Sequence, residues 1–401
     1  MHYPTLDQAN MKGMRVLLRA GFDVPMENGQ IKDTTRMEAM VPTMKYILDH
    51  GASLILMAHQ GRPDGIDLQF SQRPLVPLLE RMLSATVTFA DSCAGESTLA
   101  QAKALKPGEV LLLENLRFHS GEKSKDPLKR EALAKELAAL ADLYVDDAFT
   151  NAHRDHASMT GVPKIIPGYL GLNIQKEVNG LGKAVHNPVK PVTLIISGAK
   201  TETKIPVIEN FMKIGDDILV GGCIANTLLA AKGFEVGGSK YDRDFLPQAK
   251  ELLAKSGKNG NATIHLPSDV LCAPRPAADA AVTTLAVTAV PPELAIFDMG
   301  PMTTKEYCDV VATSKTVVWN GPLGFYEVEK FAVSTGAMAD AVRKATEAGA
   351  VSIIGGGDTL DFHDRYSVAI DRYTFVSTAG GAMLDFISGV PMPALEVLVK
   401  P

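Results

Sequence analysis

Two lysines four positions apart, Lys200 and Lys204, follow Ser197-Gly198-Ala199 at the end of an apolar, β-branched run, Val192–Ile196. A short continuous apolar run reads as a buried parallel strand. A small-residue turn after it lets a ligand approach the backbone closely. If a helix opens near Thr201, the two lysines lie at its mouth, about one turn apart, placed to hold anionic oxygens. Taken alone, an ordinary strand-to-helix turn with solvated lysines would read the same way. It is not a Walker loop, which needs glycine where Thr193 stands.

The same half of the chain repeats this ending. Residues 217–220 run into Gly221-Gly222, and residues 316–319 into Asn320-Gly321-Pro322. Residues 351–354 run into Gly355-Gly356-Gly357-Asp358-Thr359, and residues 373–376 into Ser377-Thr378-Ala379-Gly380-Gly381. Each turn can open a helix whose free N–H groups and dipole favour phosphate. Asp358 is the best metal candidate, because magnesium takes one or two carboxylates plus phosphate oxygens. Residues 273–290 carry no chemical signature and read as edge structure and connection.

The first half ends its strands differently. Residues 15–19, 53–57, 109–113 and 143–145 read as strands, with a weaker one at 87–89. Beyond their ends stand Arg19, His59, Arg62, Arg117, His119, His153, Arg154 and His156. One arginine after one strand is usually a solvated surface residue, but four strand ends of one sign form a basic cup. Arginine suits phosphate and carboxylate because its planar fork bonds bidentately. His119 and His156 can equally be turn or core residues, and His153-Arg154-Asp155 lacks the downstream spacing of a kinase HRD. A helix starts at Thr35 and includes Arg36. Another opens at Asp126-Pro127, with a stripe of Leu128, Leu133, Leu137 and Leu140.

Strands alternating with helices over 401 residues predict an α/β protein of two doubly wound, Rossmann-like parallel-sheet domains, with ligands beyond the carboxyl ends of the strands. Residues 173–185, interrupted by Gly180 and Gly182 and stopped by His186-Asn187-Pro188, are the candidate interdomain helix and hinge. A net charge of −6 implies no nucleic-acid partner, and no run approaches membrane-spanning length. Four scattered cysteines predict reduced thiols and no structural zinc. A cytoplasmic monomer is the default expectation. An Arg/His half joined to a Gly-rich half argues phosphoryl transfer between a nucleotide and a small anion. No residue stands out as a general base, which fits an acceptor that is already ionised.

The blocks RVLLRAGFDVP, HQGRPDG, ENLRFH, DDAFTNAHRDHAS, SGAKTETKI, GGCIANT, FDMGP, VVWNGPLGFYE, IIGGGDT and FVSTAGGA stand in an order that resembles the phosphoglycerate kinase family over nearly the whole chain. The resemblance implies an N-terminal domain, 1–172, for 3-phosphoglycerate or 1,3-bisphosphoglycerate. It implies a linking helix, 173–186, and a C-terminal domain, 187–385, for ATP or ADP with Mg2+. A tail, 386–401, would return to the first domain, with 392–399 packing on it. By the same resemblance Arg36, Arg117 and Arg154 grip the acceptor's phosphate or the transferring group, with Arg19, Asp23, His59 and Arg62 beside them. Lys204 stabilises the transferring phosphoryl and Lys200 contacts nucleotide phosphate. Gly198, Ala199, Gly222, Asn320, Pro322 and Glu327 line the nucleotide site, Glu327 as the ribose-binding acid. Asp358 is metal-linked, Gly356, Gly357 and Thr359 cradle phosphates, and Gly380 and Gly381 face the transferring group.

Several positions depart from the family pattern. RxDxNxP becomes Arg19-Ala20-Gly21-Phe22-Asp23-Val24-Pro25, so Gly21 replaces an aspartate and Asp23 an asparagine. Gln60 stands in HLGRP, Thr150-Asn151 replaces Gly-Thr, and Ser197 begins what is usually GGAK. Two other readings follow: a kinase of the same fold with a different small carboxylate acceptor, or a non-catalytic nucleotide-binding homologue.

Overall fold

Short, fully buried apolar strands build the first sheet. All five residues of Ser53–Met57 and all four of Val110–Leu113 and Leu143–Asp146 are buried. The computed structural model, which describes residues 3–27, 29–186 and 188–399, arranges six parallel strands here. Their order is Val87–Ala90, Val110–Leu113, Ser53–Met57, Arg15–Arg19, Leu143–Asp146 and Gly168–Leu170. A parallel sheet must be covered on both faces, which is why these strands read as unbroken apolar runs rather than alternating ones. The strand order reverses between Arg15–Arg19 and Leu143–Asp146, so a crevice opens beyond their carboxyl ends.

The second sheet has the order Thr263–His265, Asp217–Val220, Val192–Ile196, Thr316–Asn320, Val351–Gly355 and Phe375–Ser377, again all parallel. Its order reverses between Val192–Ile196 and Thr316–Asn320, which places the Ser197-Gly198-Ala199 turn beside Asn320.

Four expectations change. The stretch 273–290 does hold edge structure, but of a sheet that was not expected. Its Thr283–Ala286 joins Asp269–Ala273 and Ala295–Met299 in a three-stranded antiparallel sheet. Thr263–His265 and Gly168–Leu170 are edge strands of three residues, too short to show a pattern. The last strand of the second sheet is Phe375–Ser377 rather than 373–376. Asp126 does cap Pro127–Ala138 by accepting from the Leu128 N–H at 3.0 Å, but the Leu128 side chain is 73% exposed and leaves the apolar stripe. Asn28, in the turn after Glu27, and Asn187, in the helix stop, lie outside the described residues, as do the last two residues of the tail.

Contacts divide the chain into two units, residues 1–178 with 391–401, and residues 179–390. The division falls inside the helix Leu172–Val185. In the first unit this helix starts on two tertiary caps: Leu172 N–H donates to Thr43 Oγ1 and Ile174 N–H to Asp147 Oδ1, both at 2.9 Å. The short helix Pro393–Glu396 belongs to the same unit, with Ala394 N–H donating to the Ala152 carbonyl at 3.2 Å. Residues 386–390 stay with the second unit, where Asn210 Nδ2 donates to the Ile387 carbonyl.

The two glycines of the helix Leu172–Val185 are not equivalent. A Cβ on Gly180 would lie 2.5 Å from the buried Phe375 ring, whereas one on Gly182 would meet only the exposed His186 side chain at 3.3 Å. Gly180→Ala should therefore cost about 1–3 kcal/mol through overpacking. Gly182→Ala should be neutral or stabilise by roughly 0.5–1 kcal/mol through lower chain entropy. Urea denaturation of both variants checks the contrast, and equal effects would contradict it.

Candidate active site

The basic residues of the first unit come together at its crevice, but not as equals. Arg19 is 1% exposed. Its guanidinium donates from Nε to Ser158 Oγ at 3.1 Å, from Nη1 to the Ala20 carbonyl, and from Nη2 to His59 Nδ1 at 3.0 Å. The expectation that Arg19 contacts a ligand directly is thus corrected: every arm of the fork is already bonded inside the protein.

Asp23 sits in a left-handed backbone conformation, φ 34°, which aspartate tolerates better than most residues. Its Oδ1 accepts from the Gly61 N–H at 2.8 Å, and its Oδ2 lies 3.5 Å from His59 Nε2 and 3.6 Å from Arg36 Nη1. Burial alone would raise its pKa, but the contacts with His59, Gly61 and Arg36 hold it at about 2. Burial, aided by the charges of Arg19 and Arg117, pushes His59 down to about 4 against the opposing pull of Asp23. Near neutrality His59 is therefore an uncharged N–H donor.

Arg36 also donates to the Asp23 carbonyl at 2.6 Å, and Arg117 to the Gly61 carbonyl. Arg154 Nε donates to His153 Nε2 at 3.2 Å, and Arg62 is exposed. Burial and then Arg154 and Arg19 lower the Arg117 pKa to about 10, with Asp23 opposing. Burial and then Arg19 and Arg62 lower that of Arg154, again against Asp23. The crowding of like charge is a cost that an incoming anion would relieve. His119 accepts from the Gly121 N–H at 3.0 Å as a turn residue, and the mostly buried His156 lies 3.6 Å from Glu122.

In the second unit, a cavity of about 410 Å³ has Lys200, Lys204, Asn320, Gly357 and Gly380 in its wall. A cavity of about 400 Å³ beside it has Gly222, Phe297, Pro322 and Glu327 in its wall. Gly198, Ala199 and Asp358 border both. The residues expected from the sequence thus gather here. Those it did not assign to the site, Phe297 and its neighbours, come from Ala295–Met299 of the antiparallel sheet, where the FDMGP block begins.

Lys204 is buried in the first turn of the helix Thr201–Ile214 and donates to Asn320 Oδ1. Burial lowers its pKa to about 8, opposed by the Asp358 charge. The other end of the Asn320 amide donates from Nδ2 to the Gly355 carbonyl at 2.8 Å. Gly356, at φ 102°, passes so close that a Cβ would lie 2.7 Å from that Nδ2. Lys200 and Asp358 are exposed, Asp358 in the first turn of the helix Gly357–Arg365. The Thr359 hydroxyl donates to the Gly355 carbonyl at 3.0 Å and accepts from the Gly321 N–H at 2.8 Å, so it braces the loops, which leaves the backbone N–H of this first-turn residue as its means of meeting a phosphate. Among the described residues no group of three or more His, Cys, Asp or Glu side chains could cage a metal.

The family described as phosphoglycerate kinase matches residues 6–390. A phosphoglycerate kinase from Bradyrhizobium diazoefficiens is 42% identical over 99% of this chain and 98% of its own. One from Moorella thermoacetica is 42% identical over 99% of each. The chain belongs to the phosphoglycerate kinase family. The solved structure of phosphoglycerate kinase from Coxiella burnetii superposes with a TM-score of 0.89 at 35% identity, covering 99% of both chains. That from Pyrococcus horikoshii gives 0.83 at 30%, covering 98% of both.

Apart from Ser197, which lies in the second unit, the departures from the phosphoglycerate kinase pattern fall in the first unit, where Gly21 and Thr150 are neighbours. Gly21 is buried, and a Cβ there would lie 3.4 Å from Thr150 Oγ1, the side chain that stands where the pattern has glycine. Bulk has moved from one loop to the other. Gln60 is buried, accepts from the Val24 N–H at 3.1 Å and donates to the Val24 carbonyl. It ties the Asp23 loop to the loop of His59.

The close approach of Gly356 to Asn320 can be tested without a ligand. Gly356→Ala should strain a left-handed position and push the amide off Lys204, at a cost of about 1–3 kcal/mol. Chemical denaturation measures it, and an unchanged midpoint would show that the loop relaxes freely.

Proposed function

We propose that this chain catalyses the glycolytic transfer of a phosphoryl group between ATP and 3-phosphoglycerate, giving ADP and 1,3-bisphosphoglycerate, and the reverse. The observation that carries the reading is a cup of Arg36, Arg62, Arg117 and Arg154 beside a neutral His59, with no group among the described residues placed as a general base. Such a site suits an acceptor that is already a carboxylate and also carries a phosphate. A carboxylate oxygen of 3-phosphoglycerate attacks the γ-phosphorus, the bond to the ADP oxygen breaks, and no proton need be removed. Catalysis is then positioning and charge neutralisation.

On this reading Lys200, Lys204 and the N–H groups around Gly357 and Gly381 receive phosphate oxygens, with Lys204 on the transferring group. Glu327, Pro322 and Gly222 border the nucleoside part. Asp358, an exposed carboxylate at the border of both cavities, fits a magnesium ion that takes its remaining ligands from the nucleotide and water. That ion, when bound, would supply neutralisation of phosphate charge. Because the two sets of residues belong to different units, transfer requires them to be brought together and water to be excluded, with residues 173–186 as the proposed hinge.

A coupled assay with ATP and 3-phosphoglycerate tests the reaction. In it Lys204→Ala should lower kcat by roughly 10²–10³, with a much smaller change in nucleotide Kd. Because Lys204 in the free enzyme loses its proton near pH 8, kcat/KM for nucleotide should fall as pH rises through that value. Near-normal kcat in the variant would remove the lysine from this role.

Asp23 favours a second reading, an altered small carboxylate acceptor, since an ionised carboxylate occupies Arg36 and repels another anion. The Asn side chain suits a φ of 34° and can keep the Gly61 bond while losing the charge. Asp23→Asn should lower KM for 3-phosphoglycerate by roughly 5–30-fold, as about 1–2 kcal/mol implies, and leave KM for ATP unchanged. If KM does not fall, and another small carboxylate is a faster substrate for the unaltered chain, the second reading replaces the first.

A further inference from the structure

A buried polar chain runs behind the basic cup. Glu122, 1% exposed, accepts from the Ser158 N–H at 3.0 Å and from Ser158 Oγ at 2.6 Å. The single Ser158 hydroxyl proton is thereby used, so its oxygen is left to accept from Arg19 Nε at 3.1 Å. Arg19 Nη2 reaches His59 Nδ1 at 3.0 Å. A guanidinium has donors only, so this contact requires a lone pair on Nδ1. The imidazole proton is then on Nε2, the nitrogen that lies 3.5 Å from Asp23 Oδ2.

We propose that Glu122 and Ser158 are positioning residues for acceptor binding, which fix Arg19 and through it hold His59 as the neutral Nε2–H tautomer. Protonating Nδ1 as well would set two donors and two positive charges face to face. The charged groups facing His59 are Arg19, Arg117 and Asp23, and burial adds to the two arginines in disfavouring the imidazolium. At the far end Glu122 faces Arg19 and His156, whose contacts, with that of Ser158, hold its pKa at about 2 in spite of burial. The acceptor therefore meets one directed N–H rather than a cation that titrates near neutrality. Asp23 holds that N–H until an acceptor carboxylate takes its place. The inference rests on the basic cup being the acceptor site, but its first test does not.

That test is a long-range proton–nitrogen correlation spectrum of the full chain labelled with 15N-histidine, recorded from pH 6 to 8, with His59 assigned by His59→Gln. The expected pattern is protonated Nε2 and bare Nδ1 throughout. A bare Nε2 or an imidazolium pattern at pH 7 overturns the proposal, whatever the enzyme's substrate. Ser158→Ala and Glu122→Gln come next. Each should give His59 a mixed tautomer pattern, and Ser158→Ala, which frees Arg19 to move toward Glu122, should bring its pKa nearer neutrality. KM for 3-phosphoglycerate should rise roughly 5–10-fold at pH 8 and recover toward pH 6, with KM for ATP unchanged, as about 1 kcal/mol of lost orientation implies. Folded variants that keep the His59 pattern and the acceptor KM overturn the positioning role. If neither folds, the spectrum of the unaltered chain decides.

Discussion

The contact between the Lys204 ammonium and the Asn320 carbonyl oxygen sets the geometry of the glycine-rich site. A buried lysine paired with a carboxylate would be neutralised within the protein and have little left for a ligand. An amide supplies direction without cancelling charge. The same amide reaches across to the Gly355 carbonyl, so three adjacent strand ends, those of Val192–Ile196, Thr316–Asn320 and Val351–Gly355, are locked through one side chain. Gly356 follows as a consequence, because no Cβ fits against Asn320, and Thr359 braces the same loops from beneath. Burial makes the ammonium easier to deprotonate, and the charge of Asp358, which borders the same cavity, opposes this.

The basic site meets the same problem, charge kept free for a ligand, with different means. Arginines crowd one another, and main-chain carbonyls hold two of them: Asp23 and Gly61 accept from Arg36 and Arg117. A carbonyl, like an amide, fixes direction at little cost in charge. Two full acids belong to the region: Asp23 stands in the cup, and Glu122 is buried behind Arg19, to which it is linked through Ser158. Arg19 is a strut, and the cup itself is made of a neutral imidazole, four guanidinium groups and the Asp23 carboxylate.

The departures from the family pattern make physical sense as a set. Loss of a side chain at Gly21 is matched by a gain at Thr150, whose Oγ1 occupies the adjoining space. Gln60 replaces an apolar side chain with one that bonds both backbone groups of Val24, which steadies the loop carrying Asp23. Asp23 brings its own charge into the cup and draws Arg36 and His59 toward itself. Together they change the charge and the packing of the cup.

The sequence by itself determined the strands, because buried parallel strands need continuous apolar runs, and the helix mouths, because small residues and glycines must follow them. The Lys200–Lys204 spacing, the Gly355–Thr359 turn and the cluster of arginines at strand ends were legible for the same local reason. Only the tertiary structure decided which of those side chains are bonded inside the protein and which line a cavity or crevice. Arg19 and Thr359 stand at expected positions yet spend a guanidinium and a hydroxyl internally, since strand register and loop packing choose the direction of a side chain. Leu128 shows the converse, an apolar residue at helical spacing that the neighbouring elements leave uncovered. The antiparallel sheet and the three-residue edge strands carry too little pattern to be read locally. Glu122 and Ser158, 36 residues apart, become one unit only because the fold closes around them.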